Sequence, residues 1–459
     1  MGSHPDRVSI LKSAHCLLSF LALCFASSIT YSANSTVENC SSLSSPEWLP
    51  QEIWVWTKLC QRELADLNEY LGTNESLNPY DIPMGSWSSQ RVLTSTFLEE
   101  ILLIQPYTEA LRNKGVRIYG AWYQQPINLQ GTEIDNYVDL RYSRFDNDVI
   151  FSLVKNDQRI WLNNSWFLND VSFFSARINE LIFGQNRVDG VFQIANGIIN
   201  SGATFQGSRF NGYVNLSGVR GGGISFGSFR PNTWGPSSAA TLRGAQLFSF
   251  TDSLSSWDGL RGKLDLNGFS YGQFGGTENS TVRDFSAGSA SERPVQDLLT
   301  WLEMQESRDE ILILQPYEQL ALVLYATGQD AKAERILYEK NEYQRSHITT
   351  TWGDHLWLMT KKTVIGYGYQ IWRAVLWLFL LVGAGTVVLR FYPGDHKFNT
   401  LQSLLYSLDQ AIPLVSLQPA HEDIARRHTI SVRSYFLAHQ ILSLILLSFL
   451  GAGLAGAIG

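Results

Sequence analysis

Ala203-Thr204-Phe205-Gln206-Gly207-Ser208-Arg209-Phe210 holds two apolar side chains five positions apart, with the small Ser208 between them. Val138-Asp139-Leu140-Arg141-Tyr142-Ser143-Arg144-Phe145 repeats the layout. Followed outward, one apolar series reads Leu129, Leu140, Phe151, Leu162, Phe173, Phe183, Ile194, Phe205, Leu216 and Phe226, at steps of 11 with two steps of 10. A second series lies five residues behind it: Ile134, Phe145, Phe167, Ile178, Val188, Ile199 and Phe210, interrupted where Asp157 takes the expected place. Ser143, Ser165, Ala176, Gly197 and Ser208 fall between the two. Neither the 3.6 period of a helix nor strand alternation places an apolar residue every five or six positions. A coil that turns a corner at that interval does, because each inward side chain then stacks on its equivalent one turn away and neighbouring coils bury a continuous core. The repeat spans 116–274. Within it Arg230 to Ser238 reads as a protruding loop, and Gly221, Gly222 and Gly223 as a coil corner rather than a phosphate cradle, since no helix pattern follows them. Irregular β-sandwich strands are the alternative.

Ala240-Thr241-Leu242-Arg243-Gly244-Ala245-Gln246-Leu247 resembles the pentapeptide-repeat family, whose unit is Ala-Asn/Asp-Leu-x-x. That resemblance implies a mainly β fold, a right-handed quadrilateral β-helix. The 11-residue double unit is one longer than two pentapeptides and predicts an extra corner residue per half-coil.

The chain has 459 residues and a net charge of -7; 17% are charged and 44% hydrophobic. This composition excludes disorder, and an acidic balance without a basic cluster speaks against nucleic acid as a partner. Arg7 and Lys12, an apolar run from Cys16 to Ala26 and a small polar stretch to Ala33 read as a signal peptide over 1–33. Cleavage would follow Ser28 or fall near Ala33; an uncleaved anchor is the alternative. Removal of that segment would leave Cys40 and Cys60, which in an exported chain suggest one disulfide, against two buried free thiols.

Residues 34–115 carry two helical patterns, Pro50 to Gly72 and Thr96 to Lys114, the second broken at Pro106. They suit the cap that a solenoid needs over its first coil. Residues 275–350 hold a Gly/Ser/Thr-rich linker and a tetratricopeptide-like hairpin turning at Gly328. In 351–459, spans are expected at about 371–391 and 435–458. Lys397, Arg426, Arg427 and Arg433 in the loop between them place that loop on the cytoplasmic side and the β-helix outside; Lys361 and Lys362 on the outer side run against the rule. The strings Gln315-Pro316-Tyr317-Glu318-Gln319 and Gly366-Tyr367-Gly368-Tyr369, followed by Trp372-Arg373-Ala374, are similar to those of bacterial membrane proteins that place a pentapeptide-like solenoid before C-terminal transmembrane segments. Some members are described as membrane-associated oxidoreductases. That activity is not carried over, because the sequence has no GxGxxG after a strand, no CxxC and no haem motif, and no cofactor is expected.

All eight histidines lie near the ends, at 4, 15, 347, 355, 396, 421, 428 and 439, so the repeat contains none for a triad or a metal site. Glu133 with Asp135, or Asp146 with Asp148, are the carboxylate pairs a glycosidase or lyase would need, but residues two apart at a corner are usually solvated. Asp354 and His355 beside Trp352 and Trp357 read as interfacial anchoring. Leu404 to Asp409 could form a short pore helix of a two-span channel, although no Thr-Val-Gly-Tyr-Gly filter is present. The expectation is therefore a non-catalytic scaffold or binding protein in the bacterial inner membrane, its β-helix in the periplasm, with an envelope protein or glycan as partner. A carbohydrate-active enzyme and a channel-like protein are the alternatives.

Overall fold

The computed structural model describes residues 40–78, 87–227, 230–275, 292–305, 313–347, 352–391, 399–412 and 429–456. The signal segment, all of the expected linker beyond Gly275 up to Ser291, and the basic residues Lys397, Arg426 and Arg427 lie outside them. The chain forms two compact units, Met1–Gln329 and Asp330–Gly459.

In the first unit the repeat winds as a parallel β-solenoid of about seven turns through three sheets of nine, seven and six strands. Equivalent residues on successive coils stand 22 apart, as at Ser143 and Ser165. Each half-coil turns at a defined corner. The carbonyls of Leu129, Phe151, Phe173, Ile194, Phe205 and Leu216 each accept the N–H three residues on. The residue two places on has positive φ at Gly131, Leu153, Ser175, Asn196, Gly207 and Gly218. Positive φ at the third residue of such a turn is the type II requirement, which glycine and asparagine meet without strain. Each of these half-coils thus turns through one left-handed corner, in the ten-residue steps that begin at Phe173 and Leu216 as in the eleven-residue ones.

Inside, Tyr123, Phe145 and Phe167 stack at 5.0 and 4.6 Å, and Phe151 on Phe173 at 4.9 Å. The small-residue column is fully buried and bonds coil to coil: Ser143 N–H donates to Ser165 Oγ (3.1 Å), Ser165 N–H to Asn186 Oδ1 (2.8 Å) and Asn186 N–H to Ser208 Oγ (3.2 Å).

Three local readings change. The interior slot assigned to Asp157 belongs to Asn156, which pairs in register with Ile178 and is 1% exposed. Its Nδ2 donates to the carbonyls of Ile134 (2.7 Å) and Asn136 (3.1 Å), acceptors left open because the neighbouring coil there makes only an isolated bridge, Glu133 to Lys155. Gly221 to Gly223 lie inside the strand Arg220–Phe226, where the register against Ile198–Thr204 shifts, rather than in a turn between strands. A Cβ at Gly221 would meet the Ile199 carbonyl oxygen at 2.0 Å, so the close approach of the previous coil is what requires glycine. The segment after Arg230 rejoins the solenoid: Thr233–Trp234 pairs with Arg209–Phe210, and Trp234 stacks on Phe210 at 5.2 Å.

Helices precede the first coil, and one donates a strand. The expected Pro50 to Gly72 helix stops at Cys60, and Arg62 turns at φ 61. Ala65–Asp66 then pairs with the strand Val116–Tyr119 and extends the nine-stranded sheet. The second pattern forms as Ser95–Leu103 and Tyr107–Ala110, with the break at Pro106. Cys40 and Cys60 stand at disulfide distance, with Cα atoms 5.7 Å apart.

At the other end Val295–Leu302 packs Trp301 on Phe274 at 4.9 Å. The helix Gln315–Ala326 explains the Gln-Pro-Tyr-Glu-Gln string, since Gln315 Nε2 donates to the Phe269 carbonyl (2.9 Å) and Gln319 Nε2 to that of Tyr271 (2.7 Å). These amides close the carbonyls at the last strand, Ser270–Gly275.

The second unit contains the helices Asp330–His347, Trp352–Ile365, Trp372–Phe391, Thr400–Ala411 and Ile430–Gly456. Two are long and apolar enough to cross a membrane: Trp372–Phe391, mean hydropathy 2.1, and Ile430–Ala452, mean hydropathy 1.7. Gly366, Tyr367 and Gly368 all have positive φ and reverse the chain before the first of them. Tyr367 OH donates to Glu342 Oε1 (2.6 Å), which also holds Lys362 and Arg345 on Oε2 (both 2.8 Å). The segment read as a short pore helix lies in Thr400–Ala411, which packs on both long helices. Gly385 admits it: a Cβ there would fall 2.2 Å from Ser407 Oγ. Ser407 Oγ donates to the Val382 carbonyl (2.9 Å) and lies 3.4 Å from Nε2 of the buried His439.

Candidate binding surface

On the six-stranded sheet, the residue just before each inward aromatic or valine points outward. In register these are Trp122, Arg144, Trp166, Arg187 and Arg209. Parallel pairing stacks them at the strand spacing of about 4.8 Å. Side chains this close must attract or the rungs splay, and alternating guanidinium with indole satisfies that. The Arg144 guanidinium lies 4.9 Å from the Trp122 ring centre and 5.4 Å from that of Trp166; Arg187 lies 4.5 Å from Trp166 on the other side.

A second outward column runs beside the first, two residues on. Asp146 accepts from Arg144 Nε (2.6 Å) and Trp122 Nε1 (2.9 Å). Asp189 accepts from Arg187 Nε (3.1 Å) and Trp166 Nε1 (2.8 Å). One coil further the carboxylate is replaced by Asn211, which accepts from Arg209 Nε at 3.1 Å. The column is therefore neutralised over its first coils and leaves positive charge at Arg209. Arg144 is 5% and Trp166 4% exposed, whereas Arg187 and Arg209 are progressively more open. The open end presents guanidinium edges to a carboxylate or another anionic group.

A related cluster sits on the nine-stranded sheet. Arg141 makes a bidentate pair with Asp139 (2.8 and 2.9 Å) and lies between the rings of Tyr119 (4.5 Å) and Trp161 (3.4 Å). Burial, followed by the charge of Asp139 beside it, raises the Tyr137 hydroxyl pKa, so that group stays a donor to Asp139 (3.2 Å) at any physiological pH.

The carboxylates singled out from the sequence are tied into these contacts or into solvent. Glu133 and Lys155 form an ion pair, both about half exposed, and Asp135 is exposed. Asp146 belongs to the ladder, and Asp148 accepts the Asp170 N–H at 3.2 Å. Asp354 and His355 lie on the exposed start of the helix Trp352–Ile365. Inward apolar periodicity does not reveal the outward ladder. Its signal was present, as an arginine or tryptophan directly before Tyr123, Phe145, Phe167, Val188 and Phe210. No family model, no curated protein and no solved structure matches the chain.

Proposed function

We propose that this chain is a membrane-anchored protein of the bacterial cell envelope, held in the inner membrane and presenting its solenoid in the periplasm as a non-catalytic scaffold or binding surface. The reading includes a right-handed quadrilateral coil of the pentapeptide type. A register shift divides the pairings of the long strands Lys155–Trp161, Arg177–Ile182, Ile198–Thr204 and Arg220–Phe226, as between Ile178 and Glu180, which supports four faces per coil. The observation that carries the function is the Trp122 to Arg209 ladder, a column of fixed guanidinium and indole groups, neutralised by Asp146 and Asp189 and ending in uncompensated charge at Arg209. It suits a partner that brings an anionic group to that end, either an acidic envelope protein or an acidic glycan. The two apolar helices, together with the basic residues between them and the N-terminal export pattern, support the anchoring and the orientation.

Two measurements test it. A periplasm-active reporter fused after Gly275 is expected to be active, and a cytoplasmic signal there would refute the orientation. Crosslinking in intact cells from position 211, beside Arg209, is expected to capture a partner that Arg187→Glu with Arg209→Glu abolishes. Capture unaffected by the charge reversal would refute the ladder as the contact.

A further inference from the structure

The nine-stranded sheet carries its own outward row, apart from the ladder. In register it reads Glu133, Lys155, Arg177, Ile198, Arg220 and Gln246. Lys155 is paired with Glu133, whereas Arg177 and Arg220 are exposed and form no ion pair among the described residues. The two arginines stand two coils apart, about 10 Å at the strand spacing.

Two residues further along the strands, about 7 Å on, the next row changes character. Phe248 is 67% exposed, and the registers of the adjoining strands set Gly222 on one side of it and Gly272 on the other. Close coils impose both glycines: a Cβ at Gly222 would lie 2.3 Å from the Ser201 carbonyl oxygen, and one at Gly272 would lie 3.0 Å from that of Phe248. Phe248 therefore has no side chain beside it on either neighbouring coil. One coil beyond Gly222, the register shift brings both Asn200 and Ser201 to face it, and both are exposed. From Phe248 to that pair is again two strand spacings, about 10 Å. That notch admits one ring in van der Waals contact with Phe248, at about 3.5–4 Å.

We propose that this face binds an acidic polysaccharide with a carboxylate on every second sugar, one ring packed on Phe248 over Gly222 and successive carboxylates on Arg220 and Arg177. The C–H face of a pyranose packs on the negative face of an aromatic ring, while its hydroxyls meet the amide of Asn200 and the hydroxyl of Ser201. Each guanidinium offers a carboxylate its planar fork. The separation of the two arginines is close to the disaccharide repeat of an extended glycan chain. An extended acidic peptide sets same-face side chains about 7 or 13 Å apart and misses that spacing. The surroundings of Phe248 are glycine, arginine, asparagine and serine, which suit a hydroxylated ring better than the apolar side chains of a protein partner. The site lies on a different sheet from the Trp122 to Arg209 ladder and does not rest on it.

The test uses the full chain in mild detergent, with binding read by titration calorimetry. The probe is a hyaluronan hexasaccharide, in which uronates alternate with neutral sugars. A chitin hexasaccharide supplies rings without carboxylates, and polyglutamate supplies carboxylates without rings. Hyaluronan should bind on the order of tenfold more tightly than either, and less tightly as salt is raised. Phe248→Ala, Arg177→Gln and Arg220→Gln should each lower its affinity on the order of tenfold. All three side chains are exposed, so an unchanged melting midpoint should accompany each loss. Absence of hyaluronan binding, equal binding of the chitin oligosaccharide, tighter binding of polyglutamate, or affinity unchanged in Phe248→Ala or Arg220→Gln would each overturn the proposal. Binding that Arg209→Glu abolishes and Arg220→Gln leaves intact would place the glycan on the ladder instead, overturning this site while sparing the ladder reading.

Discussion

Arg293 is the residue whose loss should most clearly expose how the solenoid is closed. Its Nη2 donates to the Asp252 carboxylate, to the Asp252 carbonyl and to the Gly275 carbonyl (3.1 Å), and its guanidinium lies 4.8 Å from the Phe274 ring centre. The two side chains are 6% and 0% exposed. Burial drives the Asp252 carboxyl pKa upward and Arg293 opposes it, so the ion pair is what keeps a charge tolerable there. Arg293→Ala strands a buried carboxylate beside the Trp257 indole N–H, and it uncovers two carbonyls. Breaking a buried pair from one side costs about 3–5 kcal/mol. That is a large part of the roughly 5–15 kcal/mol by which a folded domain is stable. Because each coil touches only its neighbours, the loss should first release Val295–Leu302 and the Ser270–Gly275 strand rather than the whole solenoid. Urea titration of the full chain in detergent, followed by tryptophan emission, should show an early transition from Trp257 and Trp301. Hydrogen exchange should quicken at 269–275 while 140–180 stays protected. Arg293→Met combined with Asp252→Asn removes both charges and should recover most of the loss. A cost below about 1 kcal/mol for Arg293→Ala, or a double variant as unstable as the single one, would refute the reasoning.

Asn156→Ala should destabilise by about 2–4 kcal/mol, since the carbonyls of Ile134 and Asn136 lose their donor; Asn156→Ile should be no better, although apolar periodicity alone predicts a gain. Thermal unfolding of the two variants side by side decides between hydrogen bonding and pattern. Leu153 holds φ 60 at a corner while 53% exposed, so Leu153→Asn should raise stability by about 1 kcal/mol, read as a higher midpoint in the same experiment. Burial would raise the Glu342 carboxyl, but hydrogen bonds from Arg345, Lys362 and Tyr367 outweigh it and hold the pKa at about 2. With the folded value below the ordinary 4.5, this stabilisation is fully present above about pH 4.5 and is lost as pH falls through about 2. Glu342→Gln should lower the melting midpoint at pH 7 and flatten its fall between pH 4.5 and 2.

The inward half of the solenoid was legible because stacking imposes the same spacing on every coil. Phe145, Phe167 and Phe210 recur at one register. What was hidden depends on contacts between coils rather than on period. Strict spacing, five residues behind Phe151 and 11 from both Phe145 and Phe167, points to Asn156 rather than Asp157, but an asparagine gives no apolar signal by which to recognise an interior position. Trp234 looked like part of a loop because the insertion before it lengthens that coil from 22 to 24 residues, as the pairing of Phe210 with Trp234 shows. The glycines at 221–223 give no sign in sequence of a carbonyl 2.0 Å from an added Cβ. The ladder was readable in the residues themselves, but only an outward register shows that Trp122, Arg144, Trp166 and Arg187 meet.

The two ends of the solenoid constrain where a partner can bind. A sheet edge with free N–H and C=O groups recruits further strands, and both described edges of the nine-stranded sheet are managed. At the start, Ala65–Asp66 contributes only two residues before Asp66 caps the helix Leu67–Leu71, too short an edge to template another strand. At the end, Gln315 and Gln319 occupy carbonyls of the last strand, and Leu264 bridges to Gln305 on the seven-stranded sheet. Growth by strand addition is thereby disfavoured at both ends, and if the solenoid binds a partner as proposed, recognition falls to side chains on the lateral faces. On such a face the position of each group is fixed by its coil, so affinity should depend on how many rungs a partner spans. Removing Arg209, at the open end, should then weaken binding more than removing the enclosed Arg144, whose guanidinium is already committed to two indoles and to Asp146.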